Sequence, residues 1–405
     1  MALRIRPALG IVAGLALGLL AGTAQADVKL GALFPFSGEL ALLGDESWRG
    51  VELAAEEFNA KGGINGEKVQ FLRGDAVDNN QAIAEARRLI SVEEVKAIFG
   101  TYSSSRSQVA SQVAELAGIP YFELGAVSDD ITGRGFQYLF RTNPTAKAMA
   151  VRTVELITDV IAPRLEVEPS ALKIAIIHED SLYGTTVAGF QNEFGAKANL
   201  NIVETLAYPA STVDLSSTIL RLQQNEIDVV LQTSYQNDSV LFFRQAHEAG
   251  FKPKAVIGGG GGYSLVDTAQ AVGTEIIDGA FNADVTQYAV NPAAAPGIED
   301  FVAAYQEKYG SAPRSGHSLL HYTGAKVLLE ALAKAESLEP DAIVAAVKAI
   351  DIPAGGTPEG WGVKFGEDGQ NERATMMGMQ WQDGKLVTVW PPEAAVAEVR
   401  LTKSE

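Results

Sequence analysis

From residue 27 onward the apolar positions fall into two alternating patterns, short unbroken β-rich runs and longer stretches with helical spacing. Such alternation marks parallel α/β sheets, in which buried strands are joined by covering helices. The run at 28–34 predicts a first strand. Val51, Leu53, Ala54, Ala55 and Phe58 give the stretch 46–59 one apolar face and predict a helix. Lys61 to Gly66 reads as a turn, followed by strands at 69–72, 95–99 and 119–122 and helices at 81–90 and 104–117. A second set repeats the theme, with strands at 174–177, 202–207, 227–232 and 255–258 and helices starting near Gly184, Leu215 and Ser239. A helix at 145–165 bridges the two sets.

After Ile276 the pattern becomes mostly helical, at 298–309, 318–334 and 341–350. These helices are too many to cover a sheet already completed, so the chain is expected to cross back to the first set. Near the C-terminus Asp383-Gly384 separates two β-rich runs and predicts a hairpin, because Asp-Gly suits the positive φ angles of a type I′ turn. The fold class is α/β, two Rossmann-like lobes with parallel sheets.

The first 26 residues change the picture of where the chain works. Arg4 and Arg6 precede an apolar run from Ile11 to Leu20, which ends at Ala24-Gln25-Ala26. That order is the signature of a secretory signal cleaved after Ala26. The run is too short for a lasting membrane anchor, and no later segment has the roughly 18 uninterrupted apolar residues that a spanning helix needs. No membrane insertion is expected.

Among its 405 residues the chain has no cysteine, which excludes disulfides, thiolate metal sites and a lipidated cysteine tether. Its stability must come from well-packed cores, for which 47% hydrophobic content is ample. Without the two arginines of the signal the balance is 30 basic against 50 acidic residues. No nucleic-acid partner is expected, since phosphate neutralisation needs clustered Lys and Arg.

Several local motifs then recur in a specific order: FPFSGELALLGD at 34–45, FNAKGGINGEKVQF at 58–71, GTYSSSRSQ at 100–108, ITGRGFQYLFRT at 131–142 and HEDSLYG at 178–184. Together they resemble the type I periplasmic binding proteins of the leucine/isoleucine/valine-binding class, which serve ABC importers. The likeness covers nearly the whole chain beyond residue 26. It implies two lobes joined by three crossovers, closing on a small ligand in the cleft between them. Lobe one would hold residues 27–145 and 283–354, and lobe two residues 146–282 and 355–405. It further implies a monomer in the periplasm that hands an amino acid or related small carboxylate to permease subunits, with no cofactor, no metal and no enzymatic activity.

Candidate ligand contacts sit at strand ends, where open α/β sheets bind. In Gly100 to Ser105 a strand ends and a helix begins, so hydroxyls and unpaired backbone N–H groups can receive an anion. The resemblance puts the ligand carboxylate there, on Ser103 or Ser104, with Tyr102 beside them. Gly125, Ala126 and Val127 follow the next strand, where the family uses a backbone carbonyl and a hydroxyl; Val127 falls on the usual threonine, so the hydroxyl is missing or moved to Ser128. Glu123, just ahead, reads equally as an ammonium partner or as an acid behind the site.

From the second set, Tyr183 and Tyr235 match family aromatics that cover the ligand, each offering an apolar face and a hydroxyl. At Gly258 to Gly262, around Gly260, the family's amino-acid binders carry the acid that pairs with the ligand ammonium, and here no side chain exists. Either another acid supplies that charge, or the ligand is an aromatic or aliphatic acid lacking an α-amino group. The glycine run is no dinucleotide fingerprint, since the third glycine of GxGxxG falls on Tyr263 or Ser264. His317 and His321, four apart on a helix, read as surface or core residues without a metal. A serine hydrolase is disfavoured by the absence of a GxSxG elbow beside any of the four histidines. A ligand sensor for a chemoreceptor would carry the same cleft as an importer component.

Overall fold

The computed structural model describes residues 27–401, so the secretory segment read at 1–26 lies outside the described residues. Strand β1 (Val28–Phe34) is buried along nearly its whole length and lies inside a five-stranded parallel sheet. With β2 (Val69–Asp75), β3 (Ile98–Gly100), β4 (Tyr121–Glu123) and β5 (Leu139–Arg141) the order is β2-β1-β3-β4-β5. Helices α1 (Ala41–Ala60), α2 (Asn79–Ser91) and α3 (Ser104–Ala117) make the crossovers. The expected helix at 104–117 is matched residue for residue, because Gly118 closes it in the left-handed conformation.

Helix α4 (Ala146–Glu155) leads to the second lobe. The single helix read at 145–165 is interrupted by a π-helical turn over Leu156–Ile161. Pro163 follows directly, and its ring cannot coexist with a helical carbonyl four residues back, so the turn ahead of it widens. The second sheet then takes β6 (Lys173–Glu179), α5 (Leu182–Lys197), β7 (Asn201–Tyr208), α6 (Ser216–Gln224), β8 (Val229–Thr233), α7 (Gln236–Glu248) and β9 (Ala255–Gly259). It continues with β10 (Phe281–Asp284), a strand the apolar pattern did not reveal. Asn282 and Asp284 are poor strand formers, and four residues are too few to show a period.

From Val285 the chain returns to the first lobe with α8 (Ile298–Tyr309), α9 (His317–Lys334) and α10 (Pro340–Lys348). Helix α9 lies so close to α1 that a Cβ on Gly50 would collide with the Ser318 carbonyl. This accounts for the helical excess. A short pair, β11 (Asp351–Ile352) and β12 (Val363–Lys364), precedes the last crossing. The hairpin β13 (Met377–Gln382) and β14 (Lys385–Trp390) completes a second sheet in the order β14-β13-β10-β9-β8-β6-β7. Its turn residues Asp383 and Gly384 have φ of 51° and 75°, as a type I′ turn requires.

Two crossing points differ from the sequence reading. Ala283 and Asp284, placed there in lobe one, pair with Gly259 and Met377 in the second sheet. Residues after 354, placed there in lobe two, stay with the first lobe for some distance. Phe365 packs edge-on against Phe140 at 5.3 Å, and Gly369 and Asn371 hydrogen-bond the backbone of Arg141. That segment joins the sheet edge through polar backbone contacts, which leave no apolar pattern to read.

Both sheets share one topology. In the first, β1 and β3 flank the point where strand order reverses; in the second, β6 and β8 do so. Loops leaving the carboxyl ends of strands at such a switch point form a natural crevice. The two crevices face each other.

Candidate functional site

The first-lobe wall is set by one buried acid. Glu123, at the end of β4 and fully buried, accepts backbone N–H bonds from Thr101 at 2.7 Å, Tyr102 at 3.3 Å, Leu124 at 3.1 Å, Gly125 at 2.9 Å and Ala126 at 2.7 Å. Burial pushes its pKa up, against the pull of Ser107 and these N–H groups. The carboxylate thereby ties the loop after β3 to the loop after β4. It is occupied in holding the site and cannot meet a ligand ammonium, which resolves the two readings of Glu123 left open by the sequence.

Tyr102 pays for this pinning with a left-handed backbone, φ 82°, unusual for a bulky residue. Its ring stands edge-on to His317, with centroids 5.2 Å apart, and stacks on His321 at 6.2 Å. His321 is a core residue: its Nδ1 donates to the His317 carbonyl at 2.7 Å, and burial pushes its pKa down to about 3, so the ring is neutral. His317, read from the sequence as a surface or core residue, lines the cleft.

Ser104 opens α3 and accepts the Ser128 N–H at 3.2 Å. Ser128 in turn contacts Thr186 of the second lobe at 2.9 Å, and Ser105 accepts the Leu182 N–H at 3.3 Å. These polar contacts bridge the lobes. Ser103 occupies the N-cap position of α3 without making a side-chain cap, and its hydroxyl is directed to Tyr235.

On the second-lobe wall, Glu179 at the end of β6 accepts the Ser181 and Gly184 N–H groups, both at 2.7 Å, and so shapes the turn that carries Tyr183. The Tyr183 hydroxyl donates to the Gly259 carbonyl, and its ring lies 5.1 Å from that of Tyr235. Burial pushes both phenols up, so both remain protonated donors.

Four of the five glycines have steric causes. A Cβ on Gly258 would strike the Tyr263 ring, on Gly260 the Tyr183 hydroxyl, on Gly261 the Tyr102 hydroxyl, and on Gly262 the Tyr235 carbonyl. The run lets tyrosines of both lobes meet backbone.

One cavity lies between the walls. From the first lobe Tyr102, Ser104, Gly125 and Val127 line it; from the second, Tyr183, Tyr235 and Gly260. Two of the sequence candidates do not. Ser103 has its hydroxyl turned to Tyr235, and Ala126 has its N–H on Glu123 and its carbonyl on Arg141 and Asn143. The cavity adds residues that sequence reasoning missed, chiefly Met149, Asp284, His317 and Leu320. The strand-end rule would have found Asp284 had β10 been recognised. The cavity's volume of about 20 Å³ is that of about one water, so the lobes are drawn together more tightly than a bound amino acid would leave them.

A family model described as periplasmic binding protein matches residues 27–385. The chain belongs to the periplasmic binding protein family. It is 63% identical over 396 residues to the Leu/Ile/Val-binding protein homolog 8 of Brucella suis, covering 98% of both chains. The Leu/Ile/Val-binding protein homolog 7 of the same organism is 59% identical over 385 residues, covering 95% of this chain and 96% of that one. Among solved structures, the isoleucine complex of a branched-chain amino acid transporter substrate binding protein from Streptococcus pneumoniae superposes with a TM-score of 0.76 at 23% identity, covering 90% of this chain and all of the other. A solute binding protein from Rhodopseudomonas palustris in complex with 4-hydroxybenzoate superposes with a TM-score of 0.78 at 19% identity, covering 93% and 98%. At that identity the likeness speaks for the fold.

Proposed function

We propose that this protein is the periplasmic solute-binding component of an ABC importer, which closes its two lobes on an amino acid or related small carboxylate and delivers it to permease subunits. The observation that carries this reading is the cavity whose walls come from both lobes at facing switch points. Ligand held there contacts both walls only in the closed arrangement, so binding and closure are one equilibrium. Ser104 and the first turn of α3 receive the carboxylate, with the border of Gly125 and Val127 beneath it. Tyr183 and Tyr235 cover it from the second lobe. The names of the Brucella relatives agree with this ligand class.

The 4-hydroxybenzoate complex of the R. palustris protein keeps a second reading in view, an aromatic acid without an α-amino group. A thermal-shift screen of the 20 standard amino acids, short aliphatic acids and 4-hydroxybenzoate separates the two. A compound that binds only the folded form raises the melting temperature with concentration. No shift from any carboxylate at millimolar concentration would overturn the reading.

A further inference from the structure

Asp284 is the one acid in the cavity wall. It ends β10, beside the strand whose loop carries the glycines, and only 2% of its surface is exposed. Oδ1 accepts the Val285 N–H at 2.8 Å, and Oδ2 accepts the Ser264 hydroxyl. Among the described residues no lysine or arginine comes within ion-pair distance. Its one such neighbour is His317, with Nε2 at 3.5 Å and Nδ1 against the Ser315 hydroxyl at 3.0 Å. The charge of Asp284 reaches the cavity, because it helps push the phenols of Tyr102 and Tyr183 up. A buried carboxylate facing a closed cavity without a permanent cation is costly unless something entering the cavity supplies one.

The remaining walls fit such a guest. Tyr102, Tyr183 and Tyr235 surround the same space with aromatic surface, which favours a cation over a neutral group. Ser104 and the start of α3 stand on the opposite lobe and favour an anion. We infer that Asp284 anchors a protonated amino group of the ligand, so that the cleft selects a small zwitterion over acids that lack an ammonium. This rests on the proposed solute-binding reading and narrows it. It also shows how a glycine loop and an amino-acid ligand are compatible, since the countercharge is carried one strand over from that loop.

Calorimetric titrations of the mature protein test the inference, with L-leucine, L-isoleucine, L-valine and L-alanine set against their deaminated counterparts 4-methylpentanoate, 3-methylpentanoate, 3-methylbutanoate and propanoate. Wild type is expected to bind amino acids from this set and to bind each matched deaminated acid at least tenfold more weakly. Asp284→Asn should lose about tenfold to hundredfold in affinity for the amino acids, the effect of removing a charge-assisted hydrogen bond, and the gap to the deaminated acids should close. Without ligand, Asp284→Asn should melt no lower than wild type, since an uncompensated charge has been removed. Equal binding of amino acids and deaminated acids, or unchanged affinity in Asp284→Asn, would overturn the inference and leave the solute-binding reading standing. So would a markedly lower melting temperature of unliganded Asp284→Asn, which would mean that the carboxylate is already compensated by its neighbours in the empty cleft. If no amino acid binds wild type, the inference fails; if no carboxylate of any kind binds, the broader reading fails with it.

Discussion

The Tyr102 hydroxyl of the first lobe lies against the α-carbon of Gly261 in the second, so closely that a Cβ there would overlap it. The Tyr102 ring is held between His317 and His321 and has nowhere to swing. Gly261→Ala should therefore hold the lobes apart. Small-angle scattering at saturating ligand should give the variant a larger radius of gyration than liganded wild type, and its affinity for any compound that binds wild type should fall at least tenfold. A wild-type radius together with wild-type affinity would show that the closed arrangement tolerates the methyl group.

Three serines in and beside α3 separate ligand contact from helix architecture. Ser104 lines the cavity, Ser103 does not and turns its hydroxyl to Tyr235, and Ser111 holds Arg134 at 2.6 Å far along the helix. Ser104→Ala is expected to cost about 1.5 to 3 kcal/mol of binding, a tenfold to hundredfold loss. Ser103→Ala and Ser111→Ala should stay within about threefold, although Ser111→Ala should melt lower because Arg134 loses one of its three acceptors. Calorimetry on all three gives the comparison, and a loss as large in Ser103→Ala as in Ser104→Ala would move the anion site.

Much of this was legible beforehand because apolar periodicity is strong in buried parallel strands and their helices. β1, α3 and α8 show it with nearly correct ends, and the Asp383-Gly384 turn declared itself by residue type. The parts that stayed hidden have physical reasons. β10 is short and half polar, and with it went Asp284; the function of Glu123 depends on where five backbone N–H groups point, which no residue pattern encodes. Glycines 258 to 262 announced a close approach without saying that tyrosines of both lobes make it.

Asp238 gives a pH test of the second lobe. Burial, aided by the negative charge of Glu179, pushes its pKa up to about 7 from 3.8, against a 2.7 Å hydrogen bond from Tyr208. The folded protein thus holds this proton more tightly than the unfolded chain does. Stability from this group is fully present below about pH 4 and is lost as pH rises to about 7, a span worth roughly 4 kcal/mol at most. Asp238→Asn cannot titrate, so its unfolding free energy relative to wild type should rise between pH 4 and pH 7.5 in urea titrations. A constant difference between the two proteins across that range would show that Asp238 ionises normally.

Export can be read directly. Native protein from the periplasmic fraction should begin at Asp27 on N-terminal sequencing, because Ala24-Gln25-Ala26 completes the signal pattern. Recovery in membranes with Leu3 still present would contradict it.

The most direct measurement is a crystal structure of the mature protein grown with the amino acid that gives the largest thermal shift. The account expects that molecule between the lobes, its carboxylate on Ser104 and the first turn of α3, its ammonium on Asp284, and Tyr183 and Tyr235 over its side chain. Density for it outside the cleft, or within the cleft but away from both Ser104 and Asp284, would contradict the site described here.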